Sequence, residues 1–251
     1  MWEVAILRIK IILEKENLVL PLAYQSILQG VIYSMIQSTK LGDYYHDVGY
    51  QFDKKVFKCF VFSNIFGKYT VENNHLIIQD EFYFYLSSQD EKFIKVIYQY
   101  LTTHQYLMIQ GEKVKIKLIN TFEPKYFSDI KLITIKTLSP MLIYSTKNDF
   151  SIYYTPSDDK ANQYILNNLI DKSRAYGYPM EQVNFQIKKV DFEKRRMVKY
   201  KHCVYPAYLT QMQVEVDYNT LSFIYNCGLS SKNSAGFGMI EIINEKGNLS
   251  I

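Results

Sequence analysis

The chain has little of what would place it outside the cell or in a membrane. Its three cysteines, Cys59, Cys203 and Cys227, are odd in number and widely scattered. With no CxxC pair and no Cys/His spacing, neither a zinc site nor a disulfide framework is expected. A reducing, cytoplasmic setting fits this usage. No apolar run approaches the length of a membrane span. The start, MWEVAILRIKIILEKE, is apolar but broken by Glu3, Arg8 and Lys10, and it lacks the basic start and cleavage site of a signal peptide. A large charge imbalance is missing too. The formal net charge is +4, which suits nucleic acid without demanding it, because a small net charge can hide one concentrated basic face. Arginine is scarce beside lysine, a bias we read as the mark of an AT-rich genome and not of a function.

What is present is a foldable chain. Apolar residues make up 48% and charged residues 22%, too apolar a mixture for disorder. Its 251 residues suffice for one large domain or two small ones.

Residues 2–13 alternate and are rich in Ile and Val, the pattern of a strand. Pro21 opens a helical stripe of apolar residues through Leu28, Val31, Ile32 and Ile36, closed by Gly42. A loop, LGDYYHDVGYQFDKK, follows. KVFKCFVFS and LIIQDEFYFYLS then alternate as strands. Ser88 and Glu91 read as a capping box ahead of the helix FIKVIYQYL. YLMIQ and KVKIKLIN, hinged on Gly111, complete a β-α-β-β-α-β order, the ferredoxin-like unit that also underlies the RNA-recognition motif.

A boundary is expected near Glu123 and Pro124, dividing the chain into residues 1–122 and 123–251. The second half reads as a strand over Ile130 to Leu138 and a break at Ser139-Pro140. A helix is expected from Thr155-Pro156 to about Tyr176, with Asp158 and Asp159 in its first turn. Strands are expected at 182–190 and 197–217, then a short helix at 219–227 stopped by Gly228, then a closing strand FGMIEII. The expected class is α+β, two ferredoxin-like domains in tandem. Fold alone does not give function.

GLSSKNSAGFG, Gly228 to Gly238, has three glycines and three serines in eleven residues. Glycine lets a backbone approach a phosphate closely, and successive N–H groups can form an anion-binding nest. A helix stop, a loop and a strand entry explain the same residues. The pattern Gly228, Lys232, Asn233, Ser234, Gly236, Phe237, Gly238 resembles the C-terminal glycine-rich loop of the CRISPR-repeat RNA-processing endoribonucleases of the RAMP superfamily. Leu20, Pro21, Tyr24, Leu28, Gln29, Gly30, Ile32 and Tyr33 resemble that family's first helix. Tyr45-His46-Asp47 and KCFVFSNIFG supply two further matches.

The resemblance implies a metal-independent, cofactor-free endoribonuclease that cuts the repeats of precursor CRISPR RNA. The RNA's own 2′-hydroxyl would attack the neighbouring phosphate, giving a 2′,3′-cyclic phosphate and a 5′-hydroxyl. Such a reaction asks the protein for a base, an acid and positive charge. His46 suits the first two roles by its ordinary pKa and its polar loop, and it stands where the family carries its catalytic histidine. An exposed loop histidine is the plain alternative. The resemblance makes Tyr33 its partner, although spacing alone reads Tyr33 as a core residue. Lys58 is implied as the charge on the phosphorane, with Lys54 and Lys55 as competitors in a solvated lysine run. His75, His104 and His202 neighbour no motif.

The stretch KKVDFEKRRMVKYKHC carries Lys188, Lys189, Lys194, Arg195, Arg196, Lys199 and Lys201 against two acids. It is the best phosphate-binding candidate, with Phe192, Tyr200 and Tyr205 able to stack bases. An edge strand guarded by lysines explains it equally well. Lys232, Asn233 and Ser234 join the expected RNA contacts. The expected partner is CRISPR repeat RNA, with other subunits of a type I effector complex open and the chain a monomer or homodimer. A non-catalytic RAMP-superfamily RNA-binding subunit and an RRM-like interaction protein are the other readings.

Overall fold

The computed structural model describes residues 7–37, 39, 42, 44–122, 129–148, 150–178 and 182–243, with the backbone alone for His46. The first half comprises β1 (Arg8–Glu14), β2 (Leu18–Pro21), α1 (Gln25–Ser34), a π-helical turn (Tyr44–Val48), β3 (Tyr50–Phe52), β4 (Lys55–Phe57), β5 (Phe60–Phe62), β6 (Phe66–Glu72), β7 (His75–Ser88), α2 (Glu91–Thr103), β8 (Tyr106–Ile109) and β9 (Glu112–Phe122). Alternation in β1 sends Ile9, Ile11 and Leu13 to one face, and Phe82, Phe84 and Leu86 of β7 join them. The apolar stripes of α1 (Leu28, Val31, Ile32) and α2 (Phe93, Ile94, Ile97, Leu101) cover that face.

Strands β9, β1, β7 and β5 lie side by side, every pair antiparallel. That is the fourth-first-third-second order of a ferredoxin-like unit, with α1 and α2 as its crossovers. β2, β6 and β8 extend the sheet, and β3 and β4 form a separate hairpin.

The second half comprises β10 (Lys131–Thr137), β11 (Ile143–Lys147), β12 (Phe150–Tyr154), α3 (Ala161–Ala175), β13 (Phe185–Tyr200), β14 (Cys203–Val216), α4 (Tyr218–Cys227) and β15 (Ile240–Ile243). Its sheet runs β13-β14-β10-β15, the same order again. Ile135, Ile165, Leu169, Met212 and Leu221 sit in its core. The expected boundary at Glu123 and Pro124 lies outside the described residues.

Four expectations need correcting. The cap of α2 is Asp90, whose side chain accepts from the Lys92 and Phe93 N–H groups. Ser88, two residues earlier, instead donates its hydroxyl to the Cys59 carbonyl. Helix α3 starts at Ala161, because Asp158 closes a local turn by accepting from the Thr155 N–H at 2.6 Å. The strands expected at 182–190 and 197–217 are one long hairpin that turns at Lys201-His202, so the basic stretch is strand and not connection. The hairpin β11–β12 and the strands β2 and β6 were not expected.

The halves are bound together by packed side chains. Val61, Leu138 and Met239 form a shared apolar cluster. Ser139 donates its hydroxyl to the Phe62 carbonyl at 3.1 Å. Arg8 is buried between the two sheets. It donates to Ser87 Oγ at 2.8 Å, to the Ile240 carbonyl at 2.8 Å and to the Tyr225 carbonyl, and its guanidinium lies over the Tyr225 ring. Among the described residues no helix is long and apolar enough to cross a membrane.

Candidate active site

Three separated segments meet beside one cleft. Helix α1 presents Tyr33 near its C-terminal end, with the ring half-buried edge-on against Phe60 at 5.4 Å. The π-helical turn Tyr44–Val48 carries His46 and Asp47. Lys58 directly precedes Cys59 and β5, and its backbone carbonyl accepts from the Tyr176 hydroxyl of the second half at 2.8 Å. Gly49 lets the chain turn tightly here with φ +68°. A Cβ on it would come within 2.9 Å of Lys58 Cδ and 3.1 Å of Lys58 Nζ, so the lysine side chain runs directly along the residue that ends the His46 turn.

Electrostatics ties the same groups together. Burial pushes the Tyr33 hydroxyl well above the ordinary tyrosine range, and Cys59, Tyr200 and Asp47 push in the same direction. Tyr33 therefore stays protonated at neutral pH, with a hydroxyl able to donate a hydrogen bond. Burial lowers the Lys58 amine, opposed by the charge of Asp47. Of its competitors, Lys55 also lines the cleft but is ion-paired to Asp171 of α3 at 2.5 Å, and Lys54 is exposed in the β3–β4 turn. His75, His104 and His202 are exposed. The first contacts the Asn73 carbonyl, the second stacks on Tyr100, and the third sits at the tip of the β13–β14 hairpin.

The cleft has a volume of about 750 Å³ and is walled by Lys58, Gln29, Tyr200, Tyr164, Lys172 and Lys232, among others. Its far wall is the glycine-rich segment, most of which is buried. Gly236 has φ +85°, and a Cβ there would reach 2.7 Å from the Phe62 ring of the first half. Asn233, expected among the RNA contacts, lines the cleft with its side chain bonded inside the loop. Its Nδ2 donates to the Leu229 and Phe237 carbonyls, its Oδ1 accepts from Lys172 at 2.6 Å, and the residue is 7% exposed. It holds the loop closed. Phe237 is likewise buried, edge-on to Tyr205. Lys232 is exposed, with its amine 5.1 Å from the Tyr205 ring centre and 6.0 Å from that of Tyr144.

The basic stretch divides in two. Lys188 pairs with Glu215 at 3.2 Å and Lys189 with Asp191 at 2.7 Å. Beyond that point β10 no longer flanks β14, whose pairing with it ends at Gln211, and after a single bridge from Met141 to Tyr208 β13 and β14 continue as a two-stranded arm. Lys194, Arg195, Arg196 and Lys199 are exposed on the arm and form no ion pair among the described residues. Lys201 stands in its turn, 5.6 Å from the Tyr200 ring centre. The arm folds back on the loop through Val198, Ala207, Ala235 and Phe237. Tyr200 donates its hydroxyl to Gln29 Oε1 at 2.5 Å, and Gln29 Nε2 donates to the Ser234 carbonyl at 2.7 Å. One glutamine of α1 thus joins the arm, the loop and the helix that carries Tyr33.

No motif or spacing singles out Lys172. It is 1% exposed and donates to the carbonyls of Gly228 (2.9 Å) and Ser230 (3.2 Å) and to Asn233. Burial brings its amine down from the usual 10.5 to about 8. Between those values the unfolded chain binds more protons than the folded one, so this group makes stability rise with pH. Relative to a Lys172→Met variant, the native chain should gain about 1 kcal/mol between about pH 8 and 9, measured by denaturant unfolding. A pH-independent difference would refute it.

Known proteins share this sequence and this fold. Residues 122–242 match the family described as CRISPR associated protein Cas6, C-terminal. The chain is 28% identical over 247 residues to CRISPR-associated endoribonuclease Cas6 1 of Methanocaldococcus jannaschii, covering 96% of this chain and 94% of that one. It is 25% identical over 236 residues to CRISPR-associated endoribonuclease Cas6 of Pyrococcus furiosus, covering 90% and 84%. The second half therefore resembles the Cas6 C-terminal family, and the chain as a whole is similar to Cas6 endoribonucleases. Solved Cas6 and RAMP structures share its fold. One described as CRISPR associated protein Cas6 has a TM-score of 0.77 at 22% identity, covering 95% of this chain and 99% of that one. One described as an RAMP protein binding different RNA substrates has a TM-score of 0.74 at 18% identity, covering 95% and 100%. The Cas6 C-terminal match takes in the arm, Lys172 and the glycine-rich loop. Tyr33, His46 and Lys58 fall outside it, in the part of the chain that only the whole-length relatives span.

Proposed function

We propose that this chain is an endoribonuclease that processes CRISPR repeat RNA without a metal. The observation that carries the reading is that Tyr33 and Lys58 both feel the charge of Asp47, next to His46, and that Lys58 runs from that turn into the wall of a cleft. The cleft's other walls bring Lys232 and Tyr200, at the tip of a cationic arm. In this reading the phosphates of the repeat run along Lys194, Arg195, Arg196, Lys199 and Lys201 of the arm and past Lys232, in the manner of backbone-neutralising contacts.

The reaction needs no external nucleophile. The 2′-oxygen forms a bond to the adjacent phosphorus as its proton leaves, and the P–O5′ bond breaks as the 5′-oxygen takes a proton. His46 is the acid or base in this exchange. Lys58 offsets the charge on the phosphorane, and the Tyr33 hydroxyl, held protonated, donates a hydrogen bond to a non-bridging oxygen. Tyr176 and Gly49 fix where Lys58 stands.

The test is cleavage of repeat RNA in excess EDTA. The rate should match that in magnesium, and the upstream fragment should end in a 2′,3′-cyclic phosphate. A magnesium requirement, or a 3′-hydroxyl on that fragment, would overturn the mechanism.

A further inference from the structure

The turn between β7 and α2, Ser88-Gln89-Asp90, looks like an ordinary helix start. Each of its side chains nevertheless reaches a different part of the site. Asp90 Oδ1 caps α2, and Oδ2 accepts hydrogen bonds from the hydroxyls of Tyr45 and, at 2.5 Å, Tyr50. Those tyrosines flank His46 on either side along the chain. Ser88 donates to the Cys59 carbonyl at 2.6 Å, one residue past Lys58, and accepts from the Asp90 N–H at 2.9 Å. Gln89 Oε1 accepts from Asn226 Nδ2 at 3.1 Å, two residues before the glycine-rich loop.

The π-helical turn is five residues long, and Val48 is exposed. Tyr45 packs edge-on to Phe93 of α2 at 5.1 Å, and Tyr50 packs edge-on to Tyr176 of α3 at 4.9 Å. These ring contacts set the tyrosines against both halves, but rings packed on apolar surface leave sliding freedom. Two hydroxyls converging on one carboxylate remove it, because charge-assisted hydrogen bonds are short, strong and directional.

We infer that Asp90 is a positioning residue for the reaction: its carboxylate clamps Tyr45 and Tyr50 and so fixes the backbone of His46 relative to Lys58. This rests on the reading of His46 and Lys58 given above. A displacement of about 1 Å in a reacting group can cost on the order of 100-fold in rate, so a loosened clamp should be visible in turnover.

Asp90→Asn separates the clamp from the cap. Asparagine caps helices as well as aspartate, but its Nδ2 cannot accept two hydroxyls. The variant should keep its melting temperature and its affinity for uncleavable 2′-deoxy repeat RNA, while single-turnover cleavage falls about tenfold or more. Amide hydrogen exchange over residues 44–50 should quicken while the core strands stay protected. The Tyr45→Phe/Tyr50→Phe pair should give the same loss, and adding Asp90→Asn to it should cost little more. A rate within about twofold of native, or a loss of rate matched by an equal loss of binding, would overturn the clamp. If Asp90→Asn does not fold, the tyrosine pair decides. Should His46→Ala cleave at the native rate, the catalytic reading falls, and exchange over 44–50 still reports whether the clamp exists.

Discussion

Replacing His46 by alanine is expected to slow repeat cleavage by about 10²–10⁴-fold. Binding of a repeat whose 2′-hydroxyl beside the cut is replaced by hydrogen should be unchanged. The size follows from what is left behind. Lys58 still offsets charge, Tyr33 still donates, and the cleft still aligns the RNA, so orientation and electrostatics survive while proton transfer returns to water. Kinetics can separate the roles. A group that acts only in the transition state lowers kcat and kcat/KM together, whereas a binding group raises KM. Lys58→Ala should follow the first pattern and loss of the arm's cations the second. Native binding of the deoxy RNA by His46→Ala, with residual cleavage rescued by added imidazole, would support the acid–base role. Undiminished cleavage would remove it.

Much of the architecture was legible because the two periodicities are strong. β1 and β7 alternate cleanly, and α1 and α2 carry apolar stripes, so both ferredoxin-like units could be read from pattern. What pattern could not show was contact between distant residues. Arg8 sits in an apolar alternation where a lysine or arginine reads as surface, yet the meeting of two sheets buries it with every contact satisfied. Lys172 lies in the unremarkable run DKSRAYG, and only the folding of a loop some 60 residues on makes it a buried triple donor. The bulges of β13, between Ile187 and Lys189 and between Val190 and Phe192, broke the alternation that would have carried the strand expected at 182–190 on toward the one expected at 197–217. The capping error has the same origin. Ser88 has the right spacing to Glu91, but its hydroxyl is claimed by Cys59 from another strand.

Gly238→Ala is expected to destabilise the chain by about 4 kcal/mol, lowering the melting temperature by roughly 10 °C or more. Two costs add. At φ +73° any L side chain is strained by about 1–2 kcal/mol. The new Cβ would also land on the Leu229 carbonyl oxygen, which cannot yield, because Leu229 N–H is itself bonded to the Gly238 carbonyl at 2.8 Å. Lys232 presents the opposite case in the same loop. Its backbone is also left-handed, at φ +57°, where glycine would be the easier residue, yet a lysine stands there with its amine exposed between Tyr144 and Tyr205. Strain of this kind, about 1–3 kcal/mol, points to a side chain needed for what it contacts. Lys232→Gly should therefore leave stability unchanged or raise it by up to about 1 kcal/mol, while weakening repeat binding and making it less sensitive to salt. Thermal unfolding of the two variants, read beside RNA titrations at two salt concentrations, measures both effects. A stable Gly238→Ala would mean the loop is not closed as described, and native binding by Lys232→Gly would leave that strained lysine without an RNA role.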